Sequence, residues 1–159
     1  MLDLCRAEAV AAHRWLVHLG LEPLERAFTG KALALALSGR RSPLKVALMD
    51  QRLVVGVGNI YASESLFRAR LSPVRAAGTL GPHEAARLAR CVRAVLEEAI
   101  EAGGSSLRDY VQSNGELGNF QRHFRVYDRA HAPCLRCGRP VERLVQGTRA
   151  TYWCRHCQR

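Results

Sequence analysis

Hydrophobic residues recur at the spacing of an amphipathic helix in the second half of the chain. Within residues 82–102 the apolar positions that follow this spacing are Leu88, Val92, Val95 and Ala99. Steps of three and four residues place side chains on one face of an α-helix. Pro82 stands near the start of this segment and Gly103-Gly104 follows it, which are common helix boundaries. The pattern predicts a long helix with one buried face.

Four further segments carry weaker helical patterns. Residues 2–19 contain neither glycine nor proline and hold an imperfect apolar stripe, so we expect a helix there. Residues 22–38 predict one or two short helices. Ser42-Pro43 predicts the start of another, with proline at its first position, that runs to about Asp50. A helical run at residues 62–70 completes the set, and the chain is expected to be mainly α.

The pattern changes near the end of the chain, where two short runs have the composition of strands. These runs are residues 140–146 and 149–153, and Gly147-Thr148 lies between them. Branched and aromatic residues on both sides of a glycine turn are typical of a β-hairpin. Arg149 is therefore expected at the tip of the hairpin or directly beside it.

Four cysteines flank this predicted hairpin in two Cys-x-x-Cys pairs. They are Cys134, Cys137, Cys154 and Cys157. Each pair directs two thiolates at one point, and a hairpin brings the pairs together, which is the ligand set of a structural zinc ion. A disulfide framework would need an oxidising compartment, and the sequence has no apolar run suitable for export. A thioredoxin-like redox pair fits two Cys-x-x-Cys units poorly, whereas four buried thiols without metal remain the alternative. Cys5 and Cys91 lack a second ligand at useful spacing and are expected to be inert packed thiols.

Length and composition suit one globular domain with a small appendage. The chain has 159 residues, of which 48% are hydrophobic, and this share is ordinary for a globular protein. No run of about eighteen apolar residues occurs, so no membrane span is expected. We expect a soluble, cytoplasmic protein.

The charge of the chain is strongly positive and is concentrated at its end. Lys and Arg number 24 against 14 Asp and Glu, a net charge of +10, and 22 of the 24 are arginine. From Phe120 onward nine arginines face only Asp128 and Glu142. Clustered cations neutralise phosphates and bind nucleic acid in a salt-dependent way, so the charge predicts a polyanionic partner. A generally arginine-rich composition without functional meaning is the alternative.

Two glycines before a predicted helix form the central motif, VVGVGNIY at residues 54–61. Gly56 and Gly58 allow close approach of a ligand to the backbone, and a helix that begins near Asn59 directs unpaired amides outward. The motif predicts a phosphate-binding turn. Two alternatives remain, since the glycines also suit tight helix packing and Asn59 suits a helix N-cap. A dinucleotide site is excluded because the third glycine and the parallel-strand pattern are lacking.

Several runs together resemble one known family. They are PLKVALMDQ at residues 43–51, VGVGNIYASE at 55–64, GGSSL at 103–107 and the terminal cysteine pairs. In this order they are similar to formamidopyrimidine-DNA glycosylase, a bacterial repair enzyme that removes oxidised purines such as 8-oxoguanine. The resemblance extends from about Leu19 to Arg159.

The resemblance implies an architecture and a set of contacts to damaged or abasic double-stranded DNA. Residues 19–124 would form a helix-two-turn-helix DNA-binding domain and residues 125–159 a zinc finger, after a helical or linker segment at 1–18. In the family's pattern Asn59 holds a phosphate with the turn at Gly56 and Gly58, Lys45 reaches DNA near the lesion, and Arg40 contacts DNA. Arg149 grips phosphates and donates a proton in the second elimination step. The segment at 112–119 folds over the flipped base.

One departure from the family pattern limits the activity that is expected. The family begins with a proline, whose amine attacks the sugar, and a glutamate, whereas this sequence begins Met1-Leu2. We therefore expect a monomeric DNA-binding portion without the N-terminal catalytic domain, inactive alone, and neither Lys31 nor Lys45 qualifies as the nucleophile. Alternatives are a working glycosylase and AP lyase whose catalytic half is a separate chain, and a zinc ribbon that docks proteins.

Overall fold

The computed structural model describes residues 16–105 and 118–159, together with residues 6, 13 and 14. Within these residues the chain forms four α-helices and one antiparallel hairpin, so the expected mainly helical fold is confirmed. The elements in chain order are α1 Gly30–Leu37, α2 Leu44–Leu48, α3 Asn59–Arg68, α4 Pro82–Glu101, β1 Glu142–Gln146 and β2 Arg149–Trp153. Short 3₁₀ helices lie at Ala77–Thr79 and Phe120–His123.

Helix α4 carries the apolar face that its spacing predicted. Leu88, Val92, Val95 and Ala99 are all buried. The helix begins after Gly81, whose amide donates to the Glu84 carboxylate at 3.1 Å, and this bond satisfies one amide of the first turn. Helix α1 packs on α4 so closely that a Cβ at Gly30 would lie 2.4 Å from the Ala86 Cα. Only glycine allows this contact between the two helices.

Helix α3 lies between α4 and the hairpin, and six successive residues in it, from Ala62 to Phe67, are buried. A helix that is buried nearly all round needs partners on opposite sides. The helix ends with Arg70 in the left-handed conformation, at φ 57°, and the Leu71 amide donates to Leu66 O at 3.0 Å. This closing pattern usually has glycine at the left-handed position, so Arg70 is held there at some conformational cost.

The hairpin and the cysteines form a finger with its own small core, built on Phe67, Val126 and Val141. Strands β1 and β2 are antiparallel, and Gln146 pairs with Arg149 across Gly147-Thr148. The finger is tied to the end of α3 by Gln158, whose Nε2 donates to Leu71 O at 3.0 Å. Its position relative to the helices is therefore fixed by hydrogen bonds as well as by apolar contact.

Several predicted boundaries were wrong. The helix expected from Ser42-Pro43 to about Asp50 covers only Leu44–Leu48, with Pro43 as its N-cap, because the chain turns where the Asp50 carboxylate accepts from the Arg52 amide at 3.0 Å. The expectation of one or two short helices within residues 22–38 is confirmed, since they hold the single helix α1. The first strand begins at Glu142 rather than at position 140, because Pro140 and Val141 pair with residues 131–133 instead of with β2.

Three sequence predictions lie wholly or partly outside the described residues, and one of them, the packed thiol expected at Cys5, lies wholly outside them. Of the helix expected at 2–19, the structure describes chiefly a hydrogen-bonded turn at its end, where the Val17 amide donates to His13 O at 2.9 Å. The segment expected to cover a flipped base, residues 112–119, is described only at its last two residues, where Asn119 forms an antiparallel bridge with Ser105. In the described part of the chain, no helix combines the length and hydropathy needed to cross a lipid bilayer.

Candidate nucleic-acid interface and metal centre

The glycine turn before α3 has an open outer surface. Gly56 adopts a φ of +75°, which favours glycine, and its amide donates to Gln51 Oε1 at 2.8 Å. A Cβ at Gly56 or Gly58 would meet no atom within 4 Å, so the packing alternative does not explain these two glycines. The space above the turn is free for a ligand to approach the backbone.

Asn59 is the first residue of α3 and does not cap it, so the N-cap alternative was wrong. Gly58 occupies the N-cap position without a side-chain bond. The first backbone bond of the helix runs from the Ala62 amide to Gly58 O at 2.9 Å, and the amides of residues 59–61 precede it. The Asn59 side chain instead donates from Nδ2 to the Tyr127 hydroxyl at 3.3 Å and accepts from Lys45.

The side chain of Lys45 joins three elements beside the glycine turn through its hydrogen bonds. Its side chain is buried, with 1% of the residue exposed. The three protons of Nζ are donated to Asn59 Oδ1, to Ala150 O at 2.9 Å and to Thr151 Oγ1 at 2.9 Å. Burial, and secondarily the charge of Arg149, lowers the pKa of Lys45 from 10.5 to about 8. Lys45 thus links α2 to the start of α3 and to β2.

Arg149 lies beside this cluster on the exposed tip of the hairpin, as its position after Gly147-Thr148 requires. Its guanidinium is close enough to lower the pKa of Lys45, so an exposed cation lies directly over a buried one. Arg40 is exposed elsewhere: its Nε donates to Ala36 O at 3.2 Å, and its charge contributes to the lowered pKa of Asp50. The described contacts therefore unite Lys45, Asn59 and Arg149 and leave Arg40 apart.

The four predicted cysteines form one cluster. All their sulfurs lie within 4.8 Å of one another, with Cys134 Sγ 4.0 Å from Cys157 Sγ and Cys137 Sγ 3.5 Å from Cys154 Sγ. Tetrahedral zinc with Zn–S bonds of about 2.3 Å requires sulfur separations of roughly 3.8 Å. The cluster therefore fits one structural zinc ion, as the spacing predicted.

Without a metal the four sulfurs do not hold their protons alike. Burial and the neighbouring cysteine sulfurs raise the pKa of Cys157 to about 12, whereas a backbone hydrogen bond from Arg139 lowers the pKa of Cys137 to about 7. A zinc ion would be bound by all four sulfurs as thiolates and would compensate their charge. The remaining Cys91 is half-buried, and burial raises the pKa of its thiol, which agrees with an inert packed thiol.

Glu64 is a residue that supports the candidate site and that sequence reasoning missed. It is fully buried on α3, and its Oε1 accepts from the backbone amides of Arg125, Val126 and Tyr127, each at 2.9 Å. These amides belong to the segment that leads into the finger and carries Tyr127, the partner of Asn59. No pattern in the sequence separates Glu64, which stands between Ser63 and Ser65, from an exposed helix glutamate, and only its burial shows that it requires partners.

An aromatic ladder continues from this segment towards the hairpin. Its rings make edge contacts with centroid distances of 5.1 to 5.8 Å. The members in order are Tyr61, Phe120, Phe124, Tyr127 and Tyr152. Edge-to-face contacts of this kind add to burial. The ladder therefore supports the Tyr127 hydroxyl at the position where Asn59 donates to it.

These features define a class of protein: a helical unit with an open glycine turn, packed against a four-cysteine finger. Residues 19–111 match the model of the formamidopyrimidine-DNA glycosylase H2TH domain, and residues 133–159 match that of the zinc finger found in FPG and IleRS. The first match covers more than half of the chain. The chain therefore belongs to the formamidopyrimidine-DNA glycosylase family.

Similar full-length sequences extend beyond the region that this chain covers. It is 56% identical over 160 residues to a formamidopyrimidine-DNA glycosylase of Cereibacter sphaeroides, covering 99% of this chain and 56% of that protein. For the enzyme of the same name from Acidiphilium cryptum the identity is 52%, over 99% of this chain and 59% of the relative. The chain thus spans a little more than half the length of these relatives.

Solved structures share the arrangement of the helices and the finger. The crystal structure of the MutM (Fpg) protein from Thermus thermophilus superposes with a TM-score of 0.87 at 50% identity, covering 96% of this chain and 58% of that one. A complex between Lactococcus lactis Fpg and DNA that contains an abasic site gives 0.86 at 30% identity, covering 96% and 56%.

Proposed function

We propose that this chain is the part of a base-excision DNA glycosylase and AP lyase that holds damaged double-stranded DNA at oxidised purines and abasic sites. The observation that carries the proposal is the meeting of Lys45, Asn59 and Arg149 beside an open glycine turn. Cations and the unpaired amides at a helix start are groups that bind phosphate. Membership of the glycosylase family supports oxidised purines as the target.

In this proposal the chain holds the damaged strand at two phosphates, and these contacts are called the phosphate grip. The turn at Gly56 and Gly58, the amides at the start of α3 and the Asn59 side chain hold one phosphate of the damaged strand, and Arg149 holds another. Lys45 approaches the strand by exchanging one of its internal hydrogen bonds, and Arg40 contacts the backbone farther away. Flipping a base out of the stack costs a few kcal/mol, and phosphate contacts on both sides of the nucleotide offset this cost.

We assign the DNA-binding domains to residues 19–124 and 125–159 and propose that the chain acts as a monomer. Arg149 donates a proton in the second elimination step, while residues 1–159 excise no base by themselves. The only amine in the described cluster is Lys45 Nζ, which is buried and fully engaged in hydrogen bonds, whereas Schiff-base chemistry needs an accessible neutral amine. A catalytic half supplied by another chain is the alternative.

The binding part of the proposal is tested by titrating zinc-loaded protein into labelled duplex that contains a tetrahydrofuran abasic analogue. We expect log Kd to rise linearly with log salt. Arg149→Ala should lower the salt slope by about one and weaken binding to all sequences alike. Arg90→Ala, on the exposed side of α4, is the matched control and should change neither quantity. Binding that ignores salt would instead favour a finger that docks proteins.

The catalytic part of the proposal is tested by borohydride trapping on abasic DNA. Residues 1–159 alone should give no covalent adduct, whereas a Schiff base would be reduced and retained on the DNA. An adduct formed by this chain alone would refute the proposed lack of lyase activity. If it formed and Lys45→Met abolished it, Lys45 would be the nucleophile.

A further inference from the structure

A chain of side-chain hydrogen bonds runs from Lys45 through the hairpin and back to the helical unit. Lys45 Nζ donates to Thr151 Oγ1, which donates to Gln146 Oε1 at 2.8 Å. Gln146 Nε2 then donates to Pro73 O at 3.2 Å, and the same carbonyl accepts from the Lys45 amide at 3.2 Å. This series of hydrogen bonds therefore returns to Lys45, and it joins both strands of the hairpin to the segments on either side of α3.

Within this series of hydrogen bonds, Gln146 is the residue nearest to the tip of the hairpin. It is the last residue of β1, it pairs directly with Arg149, and only Gly147-Thr148 separate the two. In a two-residue turn the residues on either side have little freedom to move independently. A displacement of Gln146 therefore displaces Arg149.

The zinc site is too far along the hairpin to fix this tip. Cys154 follows the other end of β2, five residues after Arg149, which corresponds to roughly 16 Å of extended chain. Metal binding thus fixes the base of the hairpin. The tip depends on contacts that lie close to it, and the Gln146 amide provides a direct bond from the end of β1 to the helical unit.

We propose that Gln146 is a positioning residue, which sets the place of Arg149 relative to Asn59 by bonding the end of β1 to Pro73 O. The inference rests on the proposed phosphate grip. The Gln146 amide is bonded to the hydroxyl of Thr151, which is fully buried, and to the backbone carbonyl of Pro73. Gln146 itself touches no phosphate in this scheme and acts through Arg149.

The test is a double-mutant cycle with Gln146→Met and Arg149→Ala, measured as Kd for the abasic-analogue duplex at low salt. Methionine keeps the length of the side chain and removes both hydrogen bonds. We expect Gln146→Met to weaken binding about fivefold, the change that corresponds to one net hydrogen bond, and Arg149→Ala to weaken it about tenfold. In the Arg149→Ala background, Gln146→Met should have almost no further effect, because residues that act through one another are not additive.

Val145→Met is the matched control, because Val145 is the neighbouring strand residue and is 60% exposed. It should leave Kd unchanged. The inference would be overturned if the fold-changes in Kd of the two single variants multiplied in the double variant. An unchanged Kd for Gln146→Met would also overturn it. Zinc content and the thermal midpoint are measured for each variant. If Gln146→Met does not fold, Gln146→Leu removes the same two hydrogen bonds with a branched side chain, and the same non-additivity with Arg149→Ala is expected.

A second measurement does not depend on DNA and separates the two proposals. Amide hydrogen exchange in the free protein reports local opening of the hairpin. Gln146→Met should accelerate exchange at residues 147–150 at least threefold and leave Trp153 unchanged. Wild-type protein that fails to bind DNA would refute the proposed function alone. Unchanged exchange at the tip would refute the positioning role whether or not DNA is bound.

Discussion

The buried amine of Lys45 gives a pH dependence of stability that can be worked out from the structure. The folded-state pKa is about 8, against an ordinary value of 10.5. Since each pKa unit corresponds to about 1.4 kcal/mol, carrying the charge in the folded state costs roughly 3 kcal/mol at a pH below both values. Between the two values the unfolded chain binds the extra proton, so the free energy of unfolding rises with pH there.

Lys45→Met removes this titration and isolates its contribution. Between pH 7 and pH 9.5 the free energy of unfolding of wild type should rise by about 2 kcal/mol relative to Lys45→Met, because most of the cost disappears as the amine loses its proton. The variant also leaves Asn59 Oδ1 and Thr151 Oγ1 without their donor, which lowers stability by an amount that does not depend on pH. The quantity that tests the prediction is therefore the slope of the free energy of unfolding against pH.

The assay is urea unfolding of zinc-loaded protein, followed by circular dichroism at several pH values in this range. Lys31→Met is the matched control, since Lys31 is the other lysine of the chain and is exposed on α1. Its curve should run parallel to wild type. If the curves of unfolding free energy against pH were parallel for wild type and Lys45→Met, the amine would titrate near its ordinary value. The buried, hydrogen-bonded position described for Lys45 would then be refuted.

Three further predictions concern the metal, the buried carboxylate and the helix end. Cys154→Ser should lose the single zinc and unfold the finger, since metal binding and folding are coupled in so small a unit; unchanged metal content by mass spectrometry would contradict this. Glu64→Ala should lower the free energy of unfolding by about 3 kcal/mol and Glu64→Gln by less, because glutamine retains an acceptor; equal losses in urea melts would exclude the amide bonds as the cause. Arg70→Gly should raise the free energy of unfolding by up to about 1 kcal/mol. Arg90→Gly inside α4 should lower this free energy by a similar amount. Destabilisation by Arg70→Gly would show that its side-chain contacts outweigh the strain.

Local patterns predicted the elements whose signals are complete within a short window. The face of α4 repeats over twenty residues, and the cysteine pairs flank a hairpin whose turn is marked by glycine, so both followed from spacing. The boundaries of α2 did not, because they depend on where Asp50 accepts from the Arg52 amide. Pro43 marks the edge of that helix but not its first residue.

The candidate site was predictable only in part, because its decisive contacts join distant segments. The glycine turn and Asn59 could be found from the motif, yet the bond from Asn59 to Tyr127 spans 68 positions. Lys45 resembles an ordinary helix lysine in the sequence, and its burial depends on β2, 106 positions away. The role of Glu64 likewise required knowledge of where residues 125–127 lie. Patterns of spacing carry no information on such pairings.

The long separations also set an order of events during folding. The bonds that seat the finger on the helices join residues between 61 and 106 positions apart. Closing large loops costs more chain entropy than joining neighbours, and contacts of this kind form late. The zinc ligands, by contrast, all lie within residues 134–157 and are brought together by a hairpin that closes over two residues. Assembly of the metal site and docking of the finger on the helices therefore depend on different contacts, the first close in sequence and the second distant.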